Sequence, residues 1–89
     1  MPDNVLTAYQ RARVARQRSG TVLRDLRLSR GMSQEDLARF IGTTQPTISI
    51  MEREGIGRID SLFAVAATFG VDPADILTGA VGGREQVVI

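Results

Sequence analysis

Apolar residues along this chain recur at three- and four-residue intervals, the spacing that lines one face of a helix. Val22, Leu23 and Leu26 form one such stripe, Leu37, Ala38 and Ile41 a second, and Ile48 and Met51 a third. Leu62, Val65, Ala66 and Phe69 make a fourth, and Ile76 follows on a short fifth segment. A weaker stripe of Val5, Leu6, Tyr9 and Ala12 precedes them within residues 3–18, which are rich in helix formers. Gly31, Gly42, Gly55-Ile-Gly57 and Gly70 punctuate the pattern. Gly20 falls inside the first stripe, where a glycine costs about 1 kcal/mol relative to alanine. The pattern predicts an all-α, compact five-helix domain.

Residues at the predicted helix starts support the same division. Ser33 is a good N-cap with Asp36 at N3, close to a capping box, and Met32 and Leu37 suit a hydrophobic staple around it. The third helix is expected to begin near Thr44, with Pro46 in a first turn that loses no intrahelical N–H bond. Asp60 is expected to cap the fourth helix. Asp72-Pro73 starts the fifth, with Val71 and Ile76 as another staple. The stretch TGAVGG after Leu77 reads as a flexible connector, and Val87-Val88-Ile89 ends the chain as a short apolar tip. The expected organisation is a basic helical extension over 1–18, a helical domain over 19–78 and a flexible C-terminal tail over 79–89.

The second and third segments, SQEDLARFIGTTQPTISIME over 33–52, read as two short helices joined at Gly42. A small residue at Ala38 lets their axes approach closely. This is the helix-turn-helix layout, whose second helix enters a DNA major groove. The predicted third helix differs from the second, fourth and fifth. They begin with Glu35 and Asp36, with Asp60, and with Asp72 and Asp75, where carboxylates suit the positive end of a helix dipole. Residues 43–49 of the third are all uncharged. An acid there would repel phosphates, and its absence is expected to leave N–H groups and hydroxyls pointing outward.

With Ile48 and Met51 facing inward, Gln45, Pro46, Ser49, Ile50 and Arg53 face out, flanked by Thr44 and Thr47. Gln45 is the best base reader, because its amide donates and accepts at once and matches adenine N6 and N7. The bland alternative is an ordinary solvated glutamine. Thr44, Thr47 and Ser49 are candidates for base edges, Thr47 and Ser49 equally for phosphates, and Thr43 for a phosphate. Ile50 suits a thymine methyl or a partner protein.

Arg27, Gly31, Ser33-Gln34, Ala38, Gly42, Gln45, Ile48, Met51-Glu52 and Phe69-Gly70-Val71, at these spacings, resemble the Cro and lambda-repressor-like (XRE) family over residues 22–77. The resemblance implies a lambda-repressor-like fold with one helix running through Gly20. It implies that Gln34 bonds a phosphate and braces the recognition helix. It also implies that Arg27 and Glu52 form an internal ion pair linking the first and third helices. Arg53 and Arg58 flank the loop that touches the DNA backbone in similar proteins. Ile50 departs from the family, which often places a polar or basic residue there.

Charge adds to this picture through its distribution. Residues 1–30 hold seven arginines against Asp3 and Asp25, for +5, and residues 31–89 hold four arginines against eight acids, for −4. Every basic residue is arginine, which binds phosphates bidentately, although a GC-rich genome would also favour it. Arg11, Arg13, Arg16 and Arg18 scatter around a helix axis, so they suit a basic arm or a solvated helix better than a fixed groove contact. A dimer contact through Val5, Leu6 and Tyr9 is a third option.

With no cysteine and no histidine, the chain has no disulfide framework, no thiolate zinc site and no histidine or cysteine to act as base or nucleophile. An enzyme is the weakest class, and neither a metal nor a cofactor is expected. No apolar run approaches the roughly 18 residues of a membrane span, and no secretory signal is visible, so no membrane partner and a cytoplasmic location are the default expectations. The expected function is a duplex-DNA-binding transcriptional regulator, a repressor, reading the major groove with residues 44–53 as a homodimer. Its dimer surfaces are expected in the fifth helix and the tail. Two rivals remain: an antitoxin that binds its own operator and a toxin protein, and a protein-binding coactivator module.

Overall fold

A computed structural model of the chain describes residues 5–80. The tip Val87-Val88-Ile89 and the rest of the tail beyond residue 80 lie outside them. The described residues form five helices: α1 Ala8–Ser29, α2 Gln34–Ile41, α3 Gln45–Glu54, α4 Ile59–Phe69 and α5 Pro73–Thr78.

The start of α1 is fixed by Thr7 and Gln10. The Thr7 hydroxyl accepts from the Gln10 backbone N–H at 3.1 Å, and the Gln10 side-chain Oε1 accepts from the Thr7 backbone N–H at 2.8 Å. This capping box lies inside the segment whose helical limit the apolar pattern left open. The helix then runs unbroken through Gly20. The reason for a glycine lies in packing: a Cβ there would meet the backbone oxygens of Met51 at 2.6 Å and Glu52 at 2.8 Å. Removing the side chain lets α1 cross close over the end of α3. Gly55 completes the contact, with φ +96° and its α carbon against the Arg16 carbonyl. Beside it the fully buried Ser19 accepts from the Ile56 N–H at 2.9 Å and donates to the Arg16 carbonyl.

Ser33 and Asp36 form a full capping box on α2, and Gly42 ends it in the left-handed region at φ +94°. Thr44 caps α3 and Asp72 caps α5. The fourth helix corrects the sequence reading. Its N-cap is Arg58, which makes no side-chain cap bond, and Asp60 lies within the first turn, accepting from the Ser61 N–H at 3.0 Å. A carboxylate anywhere in the first turn suits the dipole, so an acid near a helix start does not by itself mark the cap.

Leu23, Leu37, Ile48, Val65 and Ile76 are the fully buried apolar centre, one from each helix. Met32 and Val71, the outer residues of the two expected staples, pack on this core partly buried. At the rim, the Arg30 guanidinium lies 5.2 Å from the Phe69 ring centroid and ties the end of α1 to α4. Arg18 reaches the carbonyls of Leu77 and Thr78 at 3.4 Å each, placing a cation at the negative end of α5. Gly79 and Ala80 finish that helix: Gly79 is left-handed at φ +78°, and the Ala80 N–H bonds the Asp75 carbonyl at 3.0 Å.

Candidate nucleic-acid interface

The outer edge of α3 carries Gln45, Pro46, Ile50 and Arg53 exposed, with Thr47 and Ser49 half-buried on its flanks. Ile48 and Met51 are buried beneath them and set this rotation. The first turn of α3 has no acid.

A chain of hydrogen bonds runs from this edge into the fold. Gln45 Nε2 donates to Gln34 Oε1 at 2.7 Å, and Gln34 Nε2 donates to Glu52 Oε1 at 3.0 Å. Arg27 meets Glu52 with both arms of its fork, Nε to Oε2 at 2.6 Å and Nη2 to Oε1 at 3.1 Å. Arg27 Nη1 also donates to the Met32 carbonyl at 2.8 Å. The side chains of the ion pair are only 10% and 6% exposed. Bonding to Glu52 raises the Arg27 pKa above its ordinary value, against the lowering effect of burial, so the guanidinium stays charged. The network joins α1, α2 and α3 and fixes where Gln45 points. One N–H and the carbonyl oxygen of the Gln45 amide are left over, the pair that a bidentate adenine contact uses.

The α3 N-terminus offers fewer free donors than the sequence implied. Pro46 has no N–H, the Thr47 N–H bonds the Thr44 hydroxyl at 3.4 Å, and the Ile48 N–H bonds the Thr44 carbonyl at 3.2 Å. Only the Gln45 N–H remains of that turn, because cap and proline satisfy or remove the others. The Thr44 and Thr47 hydroxyls also bond each other at 2.8 Å, which uses one of their two protons.

Two clefts flank the α3 edge. One is lined by Arg24, Arg27, Gln34, Ser49, Glu52 and Arg53. The other holds Thr43 and Thr47 with Ile41, Met51, Asp60, Ser61 and Ala64. The candidate residues thus divide: Gln34, Ser49 and Arg53 share the arginine-lined flank, and Thr43 and Thr47 share the flank that contains Asp60 and no arginine. Arg58 stands apart at the start of α4, 80% exposed, with Nε 3.5 Å from Asp60 Oδ1. Ile50 is 46% exposed. Arg24 was missed in the sequence, although its spacing of three from Arg27 on one helix was a readable signal.

A scan against protein-family models matches residues 23–76 to a family described as helix-turn-helix. The chain belongs to the Cro and lambda-repressor-like (XRE) helix-turn-helix family. A helix-turn-helix domain of this type is a DNA-binding transcription regulator rather than an enzymatic domain. Searches of curated proteins and of solved structures gave no match. Among the described residues, no helix is long and apolar enough to cross a membrane, and no group of acidic side chains could hold a metal ion.

Proposed function

We propose that this helix-turn-helix domain is a sequence-specific repressor that lays α3 in the major groove of duplex DNA. The observation that carries the reading is the bonded chain Gln45–Gln34–Glu52–Arg27, which aims a free amide edge outward from α3. Gln45 reads adenine, with Thr44, Thr47 and Ser49 near neighbouring base edges and Ile50 against a thymine methyl. Gln34 retains one N–H for a phosphate while it braces Gln45. Thr43, Arg53 and Arg58 add backbone contacts, which set register without carrying sequence.

One such domain reads only a few base pairs, so specific binding calls for a symmetric dimer on half-sites about one helical turn apart. The fifth helix and the tail remain the expected dimer surfaces, and Ile59 and Phe63, four residues apart on α4 and 71% and 55% exposed, offer further apolar surface for the second copy. Selection of bound duplexes from a random pool, followed by sequencing, tests the reading. A palindrome with half-sites about one turn apart is expected. Recovery of no motif would contradict it and favour the protein-binding coactivator module, because an antitoxin that binds its own operator would also select a motif.

A further inference from the structure

The cleft beside α3, about 410 Å³ in volume, is built from three helices. Arg24 and Arg27 of α1 stand three residues apart on one face. Ser49, Glu52 and Arg53 of α3 form the opposite wall, and Gln34 of α2 closes one side. Glu52 is the only acid in this lining, and the two-armed contact from Arg27 neutralises it. Two cations then remain, one on each wall. The Arg24 side chain is exposed and makes no hydrogen bond or ion pair among the described residues. Arg53 is 63% exposed and has only a 3.4 Å contact to its neighbour Glu54. The other flank of α3 has Asp60 and no cation in its lining. The two sides of the helix are therefore electrostatically unequal.

Building on the DNA-binding reading above, we infer that Arg24 and Arg53 clamp a single phosphate of the DNA backbone in this cleft. The clamp would hold one strand against the Ser49 side of α3. Guanidinium forks from two directions suit a phosphodiester oxygen pair, and the neutralised Glu52 beneath adds no repulsion. Arg24 is then a phosphate-binding residue of the first helix, on a part of the fold that otherwise only supports α3.

The test titrates the full chain, Arg24→Ala, Arg53→Ala and the double variant against a labelled duplex between 50 and 200 mM salt. Both side chains are exposed, so thermal melting is expected to match the parent protein. Each single variant is expected to bind roughly tenfold more weakly, with Arg24→Lys recovering part of the loss. Because the two arginines share one phosphate, the double variant should flatten the slope of log K against log salt by about 0.9. An unchanged slope, or a flattening near 1.8 that marks two separate phosphates, would overturn the clamp and leave the DNA-binding reading intact. Failure of the parent protein to bind duplex would overturn both.

Discussion

A methyl group on Gly20 would sit 2.6 Å from the carbonyl oxygen of Met51 and 2.8 Å from that of Glu52. Helix propensity alone says that Gly20→Ala stabilises by about 1 kcal/mol. Packing says the reverse, because both neighbours are backbone atoms that cannot move without separating α1 from α3. Overpacking of this kind costs about 1–3 kcal/mol, so Gly20→Ala should lower the denaturation midpoint. A raised midpoint would show that the helices part easily. Arg27 gives a second prediction. Arg27→Met leaves the Glu52 carboxylate, 6% exposed, with Gln34 as its remaining hydrogen-bond donor among the described residues, and should cost about 3–5 kcal/mol. Adding Glu52→Met should recover much of that loss, since the penalty comes from an unpaired buried charge. Urea titration of the two variants checks both statements. The residue pattern offered Gly20 as a cost, the resemblance implied a helix running through it, and Ser19 was not singled out at all. What decides each is an approach of two distant segments, which local pattern does not contain.

Among the elements, the helix starts show how far local chemistry reaches. Ser33, Thr44 and Asp72 cap where the sequence places them. Thr7 and Gln10 have the spacing of a capping box that went unread, because the residues after them lack a strong apolar stripe. Asp60 was misplaced because a first-turn acid and a capping acid serve the same dipole. The α2 start also carries a pH dependence. Asp36 is held below the ordinary aspartate pKa, first by the Ser33 backbone N–H, then by the Ser33 side chain, with Arg39 adding to the effect. A carboxyl group with a depressed folded-state pKa contributes stability above its unfolded pKa, and that contribution is lost as pH falls through the folded value. Asp36→Asn should therefore destabilise the protein by a constant amount above about pH 5, with the difference shrinking below about pH 4. Denaturation midpoints of the two proteins across that range measure it, and a difference that persists at low pH would contradict the assignment.

At the scale of the whole molecule, the basic first third of the chain proves to be divided in use. Arg16 lies over Gly57, Arg18 ties α1 to the end of α5, Arg27 is buried in the ion pair and Arg30 packs on Phe69. Arg24 alone of these five lines the cleft beside α3 without a side-chain partner among the described residues. Composition could not separate these uses, because each depends on what the rest of the fold brings opposite the guanidinium. The outward order of α3 was legible, since Ile48 and Met51 fix its rotation. The bond that fixes Gln45 was legible only through the family resemblance, which implies that Gln34 braces the recognition helix, since it joins side chains eleven residues apart across a turn. That bond is the basis of the central claim, that an aimed glutamine on α3 reads sequence. The most direct measurement compares the parent protein with Gln45→Ala on the duplex recovered by selection and on a scrambled duplex of equal length. A bidentate base contact predicts a loss of roughly 10- to 100-fold on the selected duplex and little change on the scrambled one. Equal losses on both duplexes, or none on either, would contradict it.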